Sequence, residues 1–341
     1  MTNAIHHPFE AAPAEGEAIA IAEGVMWFRL PLPMALDHVN CYALADADGW
    51  TLVDTGMKSR RSMAIWDALF AGPLHGKPVR RLIVTHHHPD HVGLAGWFQA
   101  KGVELIIPRT AWLYARMLTL DEQALPPHEA LQFYRRAGAS DEMLAQKSAE
   151  RPFNFSDCVA PLPLGFTNLC QGDTIRLAGR DWRVELGQGH APDHATLWSQ
   201  SCNLVIGGDQ LLPGISANIG VYPTEPAADP LGEWLDSTAR FQPLANDQHL
   251  VLPGHKLPFQ GLPHRLIQMA ENHHSALARL RQHLEQPRKA LECFVPLFKR
   301  ELTGSDLGLG LVETVAHLNF LLKRGEVSRS LDARGAWIWQ A

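Results

Sequence analysis

The chain has no Cys-x-x-Cys pair: its five cysteines, Cys41, Cys158, Cys170, Cys202 and Cys293, are scattered and odd in number. That argues against a disulfide framework and fits a reducing compartment. No apolar run reaches the roughly 20 residues that a membrane-spanning helix needs. The opening residues, MTNAIHHPFEAAPAEGEAIAIAEG, lack the basic start and apolar core of an export signal. These absences lead us to expect a soluble, cytoplasmic protein. Positive charge is in deficit, with a formal net charge of −6, which removes any general attraction to nucleic acid or acidic membranes. There is no G-x-S-x-G elbow to carry a serine nucleophile, no internal repeat and no long low-complexity tract. With 341 residues, 46% of them hydrophobic, the chain can bury a large core and suits one big domain with a smaller addition. Tandem histidines and a Pro/Ala-rich composition make the first dozen residues an expected flexible tail.

What the chain does have is a series of short apolar runs that end in chemistry-bearing residues. GWTLVDTG ends at Asp54, VRRLIVTHHH delivers His86, DWRVELGQGH leads to His190, NLVIGGD to Asp209 and HLVLPGH to His255. Apolar segments cut by Gly, Pro, Asp or His read as buried strands whose ends open into loops, and loops on a rigid sheet are where binding and catalytic groups collect.

Between these runs lie helical patterns. KSRRSMAIWDALFAG and HVGLAGWFQAKG each carry apolar positions at helical spacing and a Gly stop. A long stretch from about residue 109 to 160, interrupted by Pro126 and Pro127, reads as a helical insertion overhanging a site. Past residue 265 the strands give way to a long amphipathic helix, RLIQMAENHHSALARLRQHLEQ, stopped by Pro287. ALECFVPLFKRE and GLGLVETVAHLNFLLKRG follow as two further helices, and EVSRSLDARGAWIWQ as a hairpin around an Asp-Ala-Arg-Gly turn. The expected division is therefore a domain over 1–265 and a small winged-helix-like module over 266–341.

The densest signal is VTHHHPDHVG, residues 84–93. His86 and His88 alternate along an extended segment and can point to one side of a strand end. Asp90 and His91 follow where the chain turns into the next helix. Imidazole and carboxylate groups in this spacing suit zinc and similar ions. One metal could take the first pair while Asp90 and His91 reach toward a second. A purification tag is excluded, because the run is internal and punctuated by Pro and Asp.

H-x-H-x-D-H after an apolar strand resembles the signature of the metallo-β-lactamase superfamily. GQGHAPDH, GGDQ and LPGHK resemble its later histidine and aspartate motifs in order, and LVDTG its N-terminal motif. The closing segments are similar to the lactamase-beta-2-like branch rather than to the glutathione-binding tail of glyoxalase II enzymes. The resemblance implies an α/β fold, a four-layer αββα sandwich with a metal site at one edge. It implies His86, His88 and His190 on a first metal and Asp90, His91 and His255 on a second, with Asp209 bridging both. Asp54 would orient ligands without binding metal. His87 is expected to be a bystander. His194 is expected to be structural or a support to the ligands, and His273 and His274 to lie on an amphipathic helix.

Two cations sharing Asp209, zinc first with iron or manganese also suited, would bring the pKa of a bridging water from about 15.7 toward neutrality. Asp90 could orient that nucleophile or handle its proton. The leading expectation is a binuclear metal-dependent hydrolase of an ester, thioester or related acyl bond in a small molecule, of thioesterase, esterase or lactonase type. Tyr222, in the loop after Asp209, is a candidate substrate contact. Two alternatives stand beside it: a mononuclear-iron enzyme resembling the superfamily's persulfide dioxygenases, and a nucleic-acid-processing enzyme using its tail. Mixed charge and the lack of an aromatic-lined basic stripe speak against nucleic acid as a partner. The tail is better suited to packing or to a homodimer contact, and no membrane partner is expected.

Overall fold

Two mixed sheets lie face to face between helical layers. The computed structural model describes residues 5–304 and 306–341. The first sheet runs, in both chain and spatial order, through Ile19–Ala22 (β1), Val25–Pro31 (β2), His38–Ala45 (β3), Trp50–Val53 (β4), Val79–Ile83 (β5), Glu104–Ile107 (β6) and Thr167–Asn168 (β7). Its pairings are antiparallel up to β4 and parallel beyond. The second sheet is made of Thr174–Leu177 (β8), Arg180–Gly187 (β9), His194–Ser199 (β10), Leu204–Gly208 (β11) and Leu250–Pro253 (β12), in the order β12-β11-β10-β9-β8. There β11 and β12 are the parallel pair.

Side-chain alternation sets the layers. On β3, Val39, Cys41 and Ala43 turn to one core while Tyr42 and Leu44 turn to another, so the strand is buried along nearly its whole length. The inter-sheet core joins Trp27, Tyr42, Val53 and Ile83 to Trp182, Val184, Leu197, Ile206 and Leu252. Outside the first sheet, Phe28, Leu30 and Val39 meet Ile65, Trp66 and Leu69 of Arg60–Ala71 (α1). The short helices Pro89–Val92 (α2) and Ala95–Gln99 (α3) and the helix Arg109–Leu120 (α4) complete that layer.

His128–Ala137 (α5) and Asp141–Ala149 (α6) follow in the insertion, and the Pro126–Pro127 pair does separate α4 from α5. Outside the second sheet, Trp198, Val205 and Val251 meet Pro230–Phe241 (α7), Leu262–His283 (α8), Phe294–Phe298 (α9) and Asp306–Lys323 (α10). Ser328–Leu331 (β13) and Trp337–Gln340 (β14) close the chain as an antiparallel hairpin. This is the expected four-layer αββα sandwich with a C-terminal helical segment.

Three details depart from the sequence reading. The single helix expected over HVGLAGWFQAKG is split at Gly93–Leu94, because the Thr55 hydroxyl captures the Leu94 N–H at 3.0 Å and takes it out of the helical ladder. A Cβ at Gly93 would collide with the backbone oxygens of Gly56 and Pro89, so only glycine lets these segments meet. The helix expected over ALECFVPLFKRE contracts to α9, where the Arg279 guanidinium takes the carbonyls of Pro296 and Leu297 and Lys299 turns left-handed. The expected loose tail is docked from residue 5 onward. His6 bridges Gln260, and Phe9 sits edge-on to Trp27 at 5.7 Å; residues 1–4 of that tail lie outside the described residues.

The boundary expected at 265/266 falls inside the first turn of α8, a continuous 22-residue helix. Among the described residues no helix is long and apolar enough to cross a membrane.

Trp66 concentrates the packing of the first helical layer. It is fully buried, stands edge-on to Phe28 and Phe98 at 5.1 and 5.0 Å, and donates its indole N–H to the Thr55 carbonyl at 3.0 Å. Trp66→Ala is expected to lower unfolding free energy by about 3–5 kcal/mol, read as a shift in the urea midpoint with little change in slope.

Candidate metal centre

One edge of the sandwich collects the ends of β4, β5, β9, β11 and β12. Beyond them stand Asp54, His86, His190, Asp209 and His255, while α2, which follows β5, brings Asp90 and His91. The backbone is bent to achieve this: Asp54 adopts φ 60° and Gly208, just before Asp209, φ 48°. Gly254 is required for a different reason. A Cβ there would strike Asp209 Oδ1, so its absence lets the β12 turn bring His255 against the aspartate.

All seven side chains named as ligands converge. His86 Nε2 and His190 Nε2 each lie 3.0 Å from His88 Nδ1. Asp209 stands between this trio and a second group, with Oδ1 3.3 Å from His91 Nε2, and Oδ2 3.4 Å from His190 Nε2 and 3.2 Å from His255 Nε2. Asp90 Oδ2 is 3.3 Å from His255 Nε2 and 3.5 Å from His91 Nε2. Three overlapping sets, His86–His88–His190, His86–His91–Asp209 and Asp90–His91–His255, each bring their donor atoms within 4.8 Å of one another.

The outer ring atoms decide which way the lone pairs face. His91 Nδ1 donates to Asp54 Oδ2 at 2.7 Å, His190 Nδ1 to the Asn218 carbonyl at 2.8 Å and His255 Nδ1 to the His38 carbonyl at 2.7 Å. Thr85 gives its hydroxyl proton to Asp54 Oδ2 at 2.9 Å, leaving its oxygen to accept from His86 Nδ1 at 3.0 Å. With those protons directed outward, four Nε2 lone pairs point inward at one another and at carboxylates. His91 Nε2 and Asp209 Oδ1 are buried without a hydrogen-bond partner. A buried lone pair facing a buried carboxylate is a costly arrangement without a cation. The donor set therefore fits divalent metal, nitrogen and oxygen ligands being those of zinc, iron and manganese.

Electrostatics divides the site in two. Burial, reinforced by neighbouring imidazoles, holds His86 and His88 well below the ordinary imidazole pKa. Burial also opposes charge on His91 and His255, but Asp209 and Asp90 outweigh it, raising His91 well above the ordinary value and His255 to about 10. Asp209 is held well below the carboxylate range: His255 and His91 overcome a burial effect of opposite sign. The carboxylate-rich half thus attracts protons where no cation stands, and a metal must displace them.

Several residues that support the site carry no motif. Thr85 clamps Asp54 through its backbone N–H, at 2.8 Å, as well as its hydroxyl. Thr55 joins the first sheet to α2 through the His91 carbonyl at 2.8 Å. His38 and Asn218 act through backbone carbonyls, which any side chain would leave in place, so sequence offered no sign of them. Asn40 binds the carbonyls of Pro253 and Lys256 and steadies the turn bearing His255. The Asn218 amide is in turn fixed by Glu313 Oε2 at 2.9 Å and the Leu309 carbonyl at 3.2 Å, both from α10.

His194 supports the site: its Nε2 accepts the Asp209 N–H at 3.0 Å and its ring stacks on His86 at 4.5 Å. His87 turns away from the trio, with Tyr114 and Phe155 of the insertion nearby, and burial depresses it to about 3. Tyr222 is 43% exposed beside Gly220 and makes no hydrogen bond to the seven.

Residues 34–255 match the family model described as Metallo-beta-lactamase superfamily, and residues 277–341 match one described as Metallo-beta-lactamase-like, C-terminal domain. The "Probable metallo-hydrolase YqjP" of Bacillus subtilis (strain 168) is 26% identical over 312 residues, spanning 88% of this chain and 92% of that protein. The crystal structure of a beta-lactamase domain protein from Burkholderia ambifaria is similar at a TM-score of 0.86 and 33% identity, over 99% of this chain and 98% of that one. A metallo-beta-lactamase family protein from Thermus thermophilus gives 0.79 and 26%, over 94% and 99%.

Asp54 is the point at which this geometry can be tested. In Asp54→Asn an amide N–H faces His91 Nδ1, so the imidazole is driven to carry its proton on Nε2, toward Asp209. Metal affinity is expected to fall about 10–100-fold, measured by competition with a chromogenic chelator, while the circular dichroism spectrum is retained. Unchanged affinity would show that Asp54 does not set the His91 tautomer.

Proposed function

The chain belongs to the metallo-beta-lactamase superfamily, and from that premise we propose that it is a binuclear metal-dependent hydrolase of an ester, thioester or related acyl bond in a small molecule. The observation that carries the two-metal reading is the position of Asp209, whose Oδ1 faces His91 while Oδ2 faces both His190 and His255. His86, His88 and His190 would hold one cation and Asp90, His91 and His255 the other, with zinc the metal we propose. Divalent cations held there would acidify water and polarise an acyl oxygen.

The protein's own groups do the rest. Asp54, Thr85, Asn218 and His38 keep imidazole protons directed outward, so the ligand set needs no reorganisation. Asp90 is the most open of the carboxylates, its side chain 19% exposed against 8% for Asp209 and 3% for Asp54. We assign it the task of orienting the attacking water and receiving its proton. His88 and Asp90 are the partly exposed members and mark the side from which the substrate's acyl group enters. Tyr222, four residues beyond the carbonyl that steadies His190, is our candidate for a contact with the remainder of the substrate.

Metal analysis of protein purified without added metal is expected to give two zinc ions per chain; a single iron would overturn this reading in favour of oxidative chemistry. In a panel of p-nitrophenyl esters, acyl thioesters and lactones, Asp209→Ala is expected to lose about 100-fold or more in turnover, beyond what loss of an outer support costs. Full turnover in that variant, or no hydrolysis by the native protein, would count against it.

A further inference from the structure

On the C-terminal side of the fold, α5, α10, the loop at 223–227 and the β13–β14 hairpin line a solvent-open cavity of about 360 Å³, within the size range of small-molecule sites. Trp337 and Trp339 give it an aromatic lining. The Arg329 guanidinium stands 4.4 Å from the centre of the Trp337 ring and 5.4 Å from that of Trp339, and the Arg136 guanidinium 5.0 Å from Trp337. Among the described residues, every arginine ion pair involves some other arginine. Arg136 donates to the Gly335 carbonyl at 2.8 Å. Two guanidiniums thus share one aromatic surface without an acid to neutralise them. Glu129 also lines the cavity but lies beyond ion-pair reach of both.

A second observation points the same way. Asn319, 3% exposed, spends its amide N–H groups on the carbonyls of Pro226 and Ala228, at 3.1 and 2.9 Å, and leaves Oδ1 buried without a donor. Trp339, 2% exposed, has an indole N–H without an acceptor. Both residues line the cavity. Buried donors and acceptors left open are rare in folded proteins, and here one of each accompanies an unneutralised pair of cations and a flat apolar wall.

We propose that this cavity binds a small organic carboxylate with a planar apolar body. The Arg329 guanidinium takes the carboxylate, as a bidentate partner suited to it, Arg136, held by the Gly335 carbonyl, adds a second positive charge beside it, and the half-buried Trp337 takes the body. The proposal does not depend on the reading of the metal centre, and its test separates the two.

Isothermal titration of the full-length protein with 2-naphthoate, and with uncharged 2-naphthamide of the same ring system, is the experiment. We expect one naphthoate per chain, bound at least about tenfold more tightly than the amide, and unchanged after the protein is treated with a metal chelator. Arg329→Met, which keeps the stem on the tryptophans, should bring naphthoate down to the level of the amide. Ala227→Trp, at an exposed position of the lining, should block both ligands and serves if the arginine variant misfolds. Absence of naphthoate binding, equal affinity for the amide, binding indifferent to both substitutions, or binding abolished by chelation would each overturn the proposal.

Discussion

The carboxylate of Asp54 holds together the parts on which the metal centre depends. It accepts from the Thr85 backbone, the Thr85 hydroxyl and His91 Nδ1 at once, joining the end of β4 to the end of β5 and to α2. Those three donors take all but one of the roughly four acceptor sites of a carboxylate. Each donor is itself coupled to a metal-facing group: Thr85 directs His86, and His91 faces Asp209. The positive φ of Asp54 is the local strain that this network sustains, and the network is anchored beneath by Trp66, whose indole holds the next carbonyl in the chain.

The two sheets contribute unequal kinds of order. From the first come His86, His88, Asp90 and His91, all within six residues, so their mutual placement is decided by one strand end and one helical turn. From the second come His190, Asp209 and His255, separated by long stretches of chain and brought together by the parallel pairing of β11 with β12 and by β9 lying beyond β10. That half has no local geometry to rely on. Its positions are held by backbone contacts across the fold: the Gly254 N–H to the Gly208 carbonyl at 2.7 Å, the Asn40 N–H to the Gly254 carbonyl at 2.7 Å and the Ala195 N–H to the Thr85 carbonyl at 2.8 Å.

The same distinction explains what the amino-acid sequence made legible. The strand ends and the H-x-H-x-D-H spacing are local patterns, and a resemblance over residues 51–256 ordered the rest, so the sandwich and the convergence of seven side chains could be anticipated. The partners of the outer imidazole nitrogens could not, since His38 and Asn218 act through carbonyls that every residue possesses. The break at Gly93–Leu94 was hidden for a related reason: it is imposed by Thr55, nearly forty positions earlier, against a stretch whose own periodicity is helical. The docking of the segment after residue 4 likewise rests on Gln260 and Trp27, partners that composition does not disclose.

Asn218 has a consequence for the order in which the molecule is made. The loop that carries it is stitched to α10 at several points: Asn218 to Leu309 and Glu313, Val221 to the Val312 carbonyl at 3.0 Å, and Asn319 to Pro226 and Ala228. His190 takes its orientation from the Asn218 carbonyl. During synthesis the first sheet and its four histidine and aspartate donors emerge from the ribosome early. The fastening that steadies His190 waits for a helix whose Leu309 follows Asn218 by 91 residues. The donors of the first sheet can therefore be assembled on the nascent polypeptide, while the orientation of His190 is locked only once α10 has been made.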